Sequence, residues 1–181
     1  MTDFDRALKF LLSDRIEGGF VDDPNDLGGP TNRGVSLRAI RQLDADGFAG
    51  LDFDLDLDGD VDVDDVRLIT VEKATEFYEV HYWQAARCPE LPWPVSLVVF
   101  DCAVNQGVGT SARVLQRAVG VDVDGVIGPK TLAALLTKGS GDVVREMIVG
   151  RLDMYRQIPT AAQFFRGWAG RMLDLLLEAA L

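Results

Sequence analysis

Apolar residues recur at every third or fourth position through most of the chain, which is the spacing of a helix with one buried face. Phe4, Ala7, Leu8, Leu11, Leu12 and Ile16 mark the first such face, with Thr2 placed to cap its start and Glu17 near its end. Ser36 stands before a second helical pattern that runs to about Leu43, ahead of Gly47 and Gly50. Thr70 opens "VEKATEFYEVHYWQAA", and "PWPVSLVVFDCAVNQG" reads as a buried helix with proline at its start and glycine at its end. Further helices are predicted at about 110–119, 129–137, 142–157 and 161–180. Alternating strand patterns are missing, except that 20–35 has room for a small hairpin. The expected class is mainly α with a minor β element, in a single domain spanning 1–181.

Between the first two helices lies "RIEGGFVDDPNDLGGPTNRGVS". Gly18 and Gly19 stop the helix directly after Glu17, and the loop that follows is rich in glycine, aspartate and asparagine. A carboxylate at a helix C-terminus faces the negative end of the helix dipole, which disfavours its charged form and raises its pKa. A carboxyl held protonated near neutrality is what glycoside hydrolysis requires of a general acid. Asp23, Asn25, Asp26, Thr31 and Asn32 supply polar groups for a second carboxylate, a water and sugar hydroxyls. The same residues also fit a plain helix stop with a solvated glutamate and a turn-rich loop.

Charge is unevenly distributed. The net charge is −11, and residues 52–65, "DFDLDLDGDVDVDD", hold eight aspartates and no lysine or arginine. That segment carries −8, leaving −3 for the other 167 residues (−11 minus −8), so acidity is a local device and nucleic acid is not an expected partner. From Asp54 the run places aspartate at loop positions 1, 3, 5, 7, 9 and 12 and glycine at 6, in the D-x-D-x-D-G spacing of an EF-hand calcium loop. Asp54, Asp56, Asp58, Asp60 through its carbonyl, and Asp65 are the expected ligands of Ca2+, with Asp62 acting through water. Starting at Asp52 instead puts Leu57 where glycine is required, so one register fits. The alternative is a solvated acidic loop, in which eight like charges repel without a counter-ion.

No apolar run approaches the ~20 residues of a membrane span, so no stable membrane insertion is expected. "MTDFDRALKF" has neither a basic segment nor an unbroken apolar core, so the expectation is synthesis in the cytoplasm without a signal peptide. Cys88 and Cys102 sit in apolar helical surroundings and read as buried thiols. His81 is the single histidine, which leaves a histidine triad or zinc cluster without support. Tyr82 and Trp83 have rings that could stack on sugars, and Asn105 and Gln106 have amides that could bond N-acetyl groups; core and capping roles fit them equally. Trp93 and Trp168 read as packing residues, and "VDVDGVIGPKT" as an aspartate–glycine turn before a proline-started helix.

"EGGFVDDPNDLGGPTNRGVS", "LITVEKATEFYEVHYWQAARCPELP" and "VFDCAVNQGVGTSARVLQRAVGVDVDGVIGPKTLAAL" together resemble glycoside hydrolase family 108, the phage- and prophage-type N-acetylmuramidases. The resemblance runs over nearly the whole chain except about 45–65, as though the loop at 52–65 were inserted, and 95–181 is similar to the family's peptidoglycan-binding region. It implies a lysozyme-like fold and hydrolysis of the β-1,4 bond between N-acetylmuramic acid and N-acetylglucosamine. The family's essential glutamate falls on Glu17, implying the general acid, with Asp26 as base or oxocarbenium stabiliser and Thr31 completing a Glu–Asp–Thr set like that of phage lysozymes. Arg33 stands where the family often has an aromatic residue. The implied partner is the glycan strand of peptidoglycan, met by a monomeric endolysin released onto the host cell wall. Two other readings stay open: a lytic transglycosylase, and a non-catalytic, calcium-dependent peptidoglycan-binding protein.

Overall fold

The computed structural model describes residues 1–12, 19–22, 29–45 and 52–180. Two compact units result, one made of Leu8–Glu79 and the other of Met1–Ala7 with Val80–Leu181.

The Leu8–Glu79 unit holds the second half of α1 (Asp3–Leu12), strands β1 (Phe20–Val21), β2 (Thr31–Asn32) and β3 (Val35–Ser36), and helices α2 (Leu37–Ala45), α3 (Val63–Leu68) and α4 (Val71–Tyr78). Hydroxyl caps start the helices where the sequence places them. Thr2 Oγ1 accepts from Asp5 N at 3.1 Å while Thr2 N donates to Asp5 Oδ2 at 2.8 Å, a reciprocal capping box. Ser36 Oγ accepts from Ala39 N at 3.3 Å and Thr70 Oγ1 from Lys73 N at 3.2 Å. The expected hairpin is a three-stranded antiparallel sheet in the order β1-β2-β3. Val35, Ile40, Leu43, Phe53, Val66, Ile69, Phe77 and Tyr78 are buried here, Phe53 meeting Phe77 edge-on at 5.9 Å.

In the other unit, α5 (Val95–Gln106) is buried at every position from Val95 to Ala103. A helix apolar on all sides has to be enclosed, and α6 (Val108–Val119), α8 (Ser140–Arg156) and α9 (Ala161–Ala179) pack on it. A short helix, α7 (Pro129–Leu135), follows the "VDVDGVIG" turn. The chain reaches α5 through a π-helical segment at Glu79–Gln84 and a 3-10 turn at Cys88–Glu90. Trp83 lies in the core, its ring 5.5 Å from Phe4 and 5.4 Å from Phe100. Trp168 stacks on Tyr155 at 4.7 Å, and Arg6 lies over the Trp93 ring at 4.1 Å, so both tryptophans pack as expected. Cys88 and Cys102 are buried free thiols. Burial raises both thiol pKa values, Cys102 to about 11 with Arg151 opposing, so neither is a reactive thiolate.

Candidate active site and acidic loop

Glu17 and Asp26 lie outside the described residues. The described residues resume at Gly29. Arg33 and Gly34 form a two-residue turn between β2 and β3, with φ of +51° and +77°. Positive φ at both centres matches the twist of a tight hairpin, and it strains Arg33 as a residue with a Cβ. The strain is offset by tertiary bonds: Arg33 Nε donates to Ile69 O at 3.2 Å, and Tyr78 Oη donates to Arg33 O at 3.5 Å. Thr31 sits on β2, half-buried, with Oγ1 donating to Gly29 O at 3.2 Å.

Asn32 departs from its expected role in sugar binding. It is buried, and Nδ2 donates to Val66 O at 2.9 Å, Arg67 O at 3.2 Å and Ile69 O at 3.4 Å. Asn32 adds a donor to the carbonyls at the end of α3, where Val66 O also accepts from Ile69 N at 3.3 Å. Its amide nitrogen is therefore committed to the fold.

The remaining sugar-site candidates lie in the other unit. Trp83 is enclosed by Phe4 and Phe100 at 4 % exposure, which leaves no ring face for a sugar. Tyr82, half-buried beside His81 with ring centroids 4.7 Å apart, does keep an accessible surface. Asn105 is exposed on the last turn of α5, with Nδ2 donating to Asp101 O at 2.7 Å. Gln106 is occupied: Oε1 accepts from Arg151 Nε at 2.7 Å and from Cys102 Sγ at 3.3 Å.

Behind these residues is an ionic cluster that the sequence reading misses. Asp101 is fully buried, accepting from Arg151 Nη1 at 2.7 Å through one oxygen and from Arg171 through the other. Arg151 is itself fully buried and donates to Tyr155 Oη at 3.4 Å. Burial works against the Arg151 charge, but Asp101, Cys102 and Tyr155 outweigh it and raise its pKa. Two guanidinium groups on one carboxylate tie α5, α8 and α9 together. The only signal available in sequence is an aspartate inside "VVFDCAV".

The acidic run folds into a compact loop that ends in α3. Asp54 Oδ1 accepts from Asp58 N and Oδ2 from Gly59 N, each at 3.0 Å, and Gly59 turns with φ +99°. Asp65 is 1 % exposed, with Oδ1 accepting from Leu55 N at 2.5 Å and Oδ2 from Asp62 N at 2.7 Å. Carboxylate oxygens of Asp54, Asp56 and Asp65 lie within 4.8 Å of one another, as do those of Asp60, Asp62 and Asp65. Asp58 stands outside both groups and bonds Asp60 N at 3.1 Å. Hard oxygen donors converging on a glycine turn suit a hard cation, so these clusters could hold a metal ion. The crowding has an electrostatic cost. Lost hydration, then the charges of Asp58, Asp65 and Asp54, raise the Asp56 pKa; Asp58 first, then lost hydration, Asp62 and Asp65, raise that of Asp60. A raised carboxyl pKa means the folded state binds more protons than the unfolded one. Without a cation the contribution of Asp56 and Asp60 is therefore most favourable below the ordinary carboxylate range and is lost as pH rises through their raised values.

Residues 11–107 match the family described as glycosyl hydrolase 108, which is more than half of the chain. The chain belongs to glycosyl hydrolase family 108. Residues 110–173 match a second family, described as "Predicted Peptidoglycan domain". Among solved structures, "Structure of Brucella abortus SagA" is similar at 32% identity and a TM-score of 0.80, over 98% of this chain and 93% of that one. No curated protein matches the sequence. This family 108 chain is a glycoside hydrolase of the N-acetylmuramidase type, and peptidoglycan is its substrate. Its mainly helical architecture with a small antiparallel sheet is that of the lysozyme-like fold. The family match includes Glu17, Asp26 and the acidic loop, and the peptidoglycan domain begins three residues beyond it.

Proposed function

We propose that this enzyme cleaves the β-1,4 bond between N-acetylmuramic acid and N-acetylglucosamine, with Glu17 as general acid and Asp26 supporting charge at the anomeric carbon. The family match across 11–107, with the glutamate of its Glu-Gly-Gly triplet at Glu17, carries the reading. Thr31, on β2, completes the Glu–Asp–Thr set in this reading, and Tyr82 and Asn105 are the sugar-binding candidates that keep exposed surface. The enzyme works as a monomer on glycan strands, without nucleic acid. It is a phage or prophage endolysin, made in the cytoplasm and acting on the host wall at lysis. Digestion of purified peptidoglycan followed by mass spectrometry tests the chemistry. Fragments with reducing N-acetylmuramic acid ends are expected. 1,6-Anhydro ends would make the enzyme a lytic transglycosylase, and undigested walls that retain the protein would make it a binding module.

The loop at 54–65 takes Ca2+ in this reading, supported by the two convergent carboxylate groups, the Gly59 turn and the buried Asp65. Asp54, Asp56, Asp60, Asp62 and Asp65 would hold it, and a bound dication offsets the mutual repulsion of the run. A ligand that binds only the folded state stabilises it by roughly 2.7 kcal/mol at a hundredfold excess over its dissociation constant. The melting temperature should therefore fall on chelation and recover with calcium, and Asp54→Ala with Asp65→Ala should remove the response. A wild-type melting temperature indifferent to chelator would exclude the site. A shifted melting temperature with an unchanged lytic rate would make the ion structural.

A further inference from the structure

The turn "VDVDGVIGPKT" lines an open cavity of about 450 Å³ within the α5–α9 unit, in the size range of small-ligand sites. Val121, Val126 and Pro129 form its apolar wall, and Asp122, Asp124 and Lys130 supply its charges. The cavity lies wholly inside the segment that matches the peptidoglycan domain.

Its frame is rigid. Gln116, 1 % exposed on α6, holds the loop from beneath: Oε1 accepts from Gly125 N at 2.8 Å, while Nε2 donates to Asp124 Oδ1 at 2.6 Å and to Val126 O at 2.9 Å. Asp124 Oδ1 also accepts from Val126 N at 2.8 Å. Its pKa is lowered, first by the Gln116 bond, then by Val126, with Lys130 adding to the effect. Gly125 has φ +85°, and a Cβ there would meet the Arg113 guanidinium carbon at 3.0 Å. The loop is thus fixed before any ligand arrives, which spares the ordering entropy that weakens binding. Asp122, Asp124 and Lys130 are exposed where they line the cavity, and Val126 is 64% exposed.

We infer that this cavity binds the stem peptide of peptidoglycan, at the residue carrying both a free ammonium and a free carboxylate. The inference rests on peptidoglycan being the substrate. The charges decide between the polymer's two components. Two carboxylates and one ammonium leave the cavity at −1 and offer both signs to a ligand. The glycan strand is built of N-acetylated sugars and brings no cation to meet Asp122 or Asp124. A diamino-acid side chain brings an ammonium for the aspartates, a carboxylate for Lys130 and methylenes for Val121, Val126 and Pro129. This unit then grips the peptide while the carbohydrate chemistry belongs to the rest of the chain.

The test uses the full chain, isotope-labelled and followed by amide NMR. It is titrated with the tripeptide L-Ala-γ-D-Glu-meso-diaminopimelate and, separately, with a tetramer of N-acetylglucosamine. Saturable shifts confined to 121–131 are expected with the tripeptide and not with the sugar. The double substitution Asp122→Asn/Lys130→Gln, at two exposed positions outside the loop's hydrogen bonds, should weaken tripeptide binding about tenfold or more, equivalent to ~1.4 kcal/mol. It should also raise KM on intact walls and leave the rate on peptide-free glycan strands unchanged. Absence of saturable shifts at 121–131, equal binding by the variant, or shifts produced by the sugar would each overturn the inference. Failure of the wild type to digest either substrate would instead overturn the hydrolase reading, which the tripeptide titration does not depend on.

Discussion

Glu17→Gln is expected to fold like the wild type and to lose nearly all lytic activity. The amide keeps the shape of the carboxyl but has no proton to give the leaving oxygen. Removal of a general acid or base costs typically ~10²–10⁴-fold, so less than about one hundredth of the wild-type rate should remain on purified walls. Retention of more than a tenth would remove Glu17 from the mechanism. Asp26→Asn separates the two carboxyl roles. If Asp26 only stabilises developing positive charge, the loss is smaller, on the order of 10²-fold. A loss equal to that of Glu17→Gln would make Asp26 a full catalytic partner. Circular dichroism and melting curves of both variants distinguish lost chemistry from lost structure.

The largest effect on stability is expected at Asp101. Its two oxygens neutralise Arg151, which is fully buried, and Arg171, which is 24% exposed. Asp101→Asn leaves the Arg151 charge in the core without a counter-charge, and breaking a buried pair in this way costs about 3–5 kcal/mol. For a chain of this length each kcal/mol moves the melting temperature by about 2–4 °C, so a drop of roughly 10 °C is expected. Arg171→Met is the informative comparison. It leaves the Asp101–Arg151 pair intact and removes the partly solvated partner, so it should lower the melting temperature by less than half as much. Equal losses would mean that Arg171, at the rim, carries as much of the cluster as the enclosed arginine.

What the sequence discloses is set by how far apart the interacting residues are. Thr2, Ser36 and Thr70 announce helix starts because a capping hydroxyl bonds an amide three residues on. The enclosure of α5 follows from "VSLVVF", which has no polar face to turn outward. Strands of two residues are too short to alternate, so a hairpin was expected where three strands form. Asn32 looks like a ligand-binding amide in a polar loop because its true partners, the carbonyls of Val66, Arg67 and Ile69, lie 34 to 37 residues away. Arg151 and Arg171 are likewise 50 and 70 residues from Asp101. Glu17 and Asp26 stand out through the family's glycine-rich block and not through periodicity, and both lie outside the described residues. The acidic loop is the exception. The bonds its carboxylates accept from backbone amides span two to ten residues, so its turn at Gly59 is readable from spacing alone.

The π-helical stretch at Glu79–Gln84 has a consequence for how this chain aligns with its relatives. A turn closed by a hydrogen bond one residue longer than the α-helical bond winds less per residue, so the helix slips phase along its length. Counting from Val71 at the α-helical repeat misassigns the face of every side chain beyond Glu79, Tyr82 and Trp83 included. In evolutionary terms such a segment is an α-helix carrying one extra residue. Relatives that lack that residue would show a single-position gap between Glu79 and Gln84, and their side chains beyond it would keep the unslipped phase. Such a gap would mark the rotation that turns Trp83 into the core beside Phe4 and Phe100.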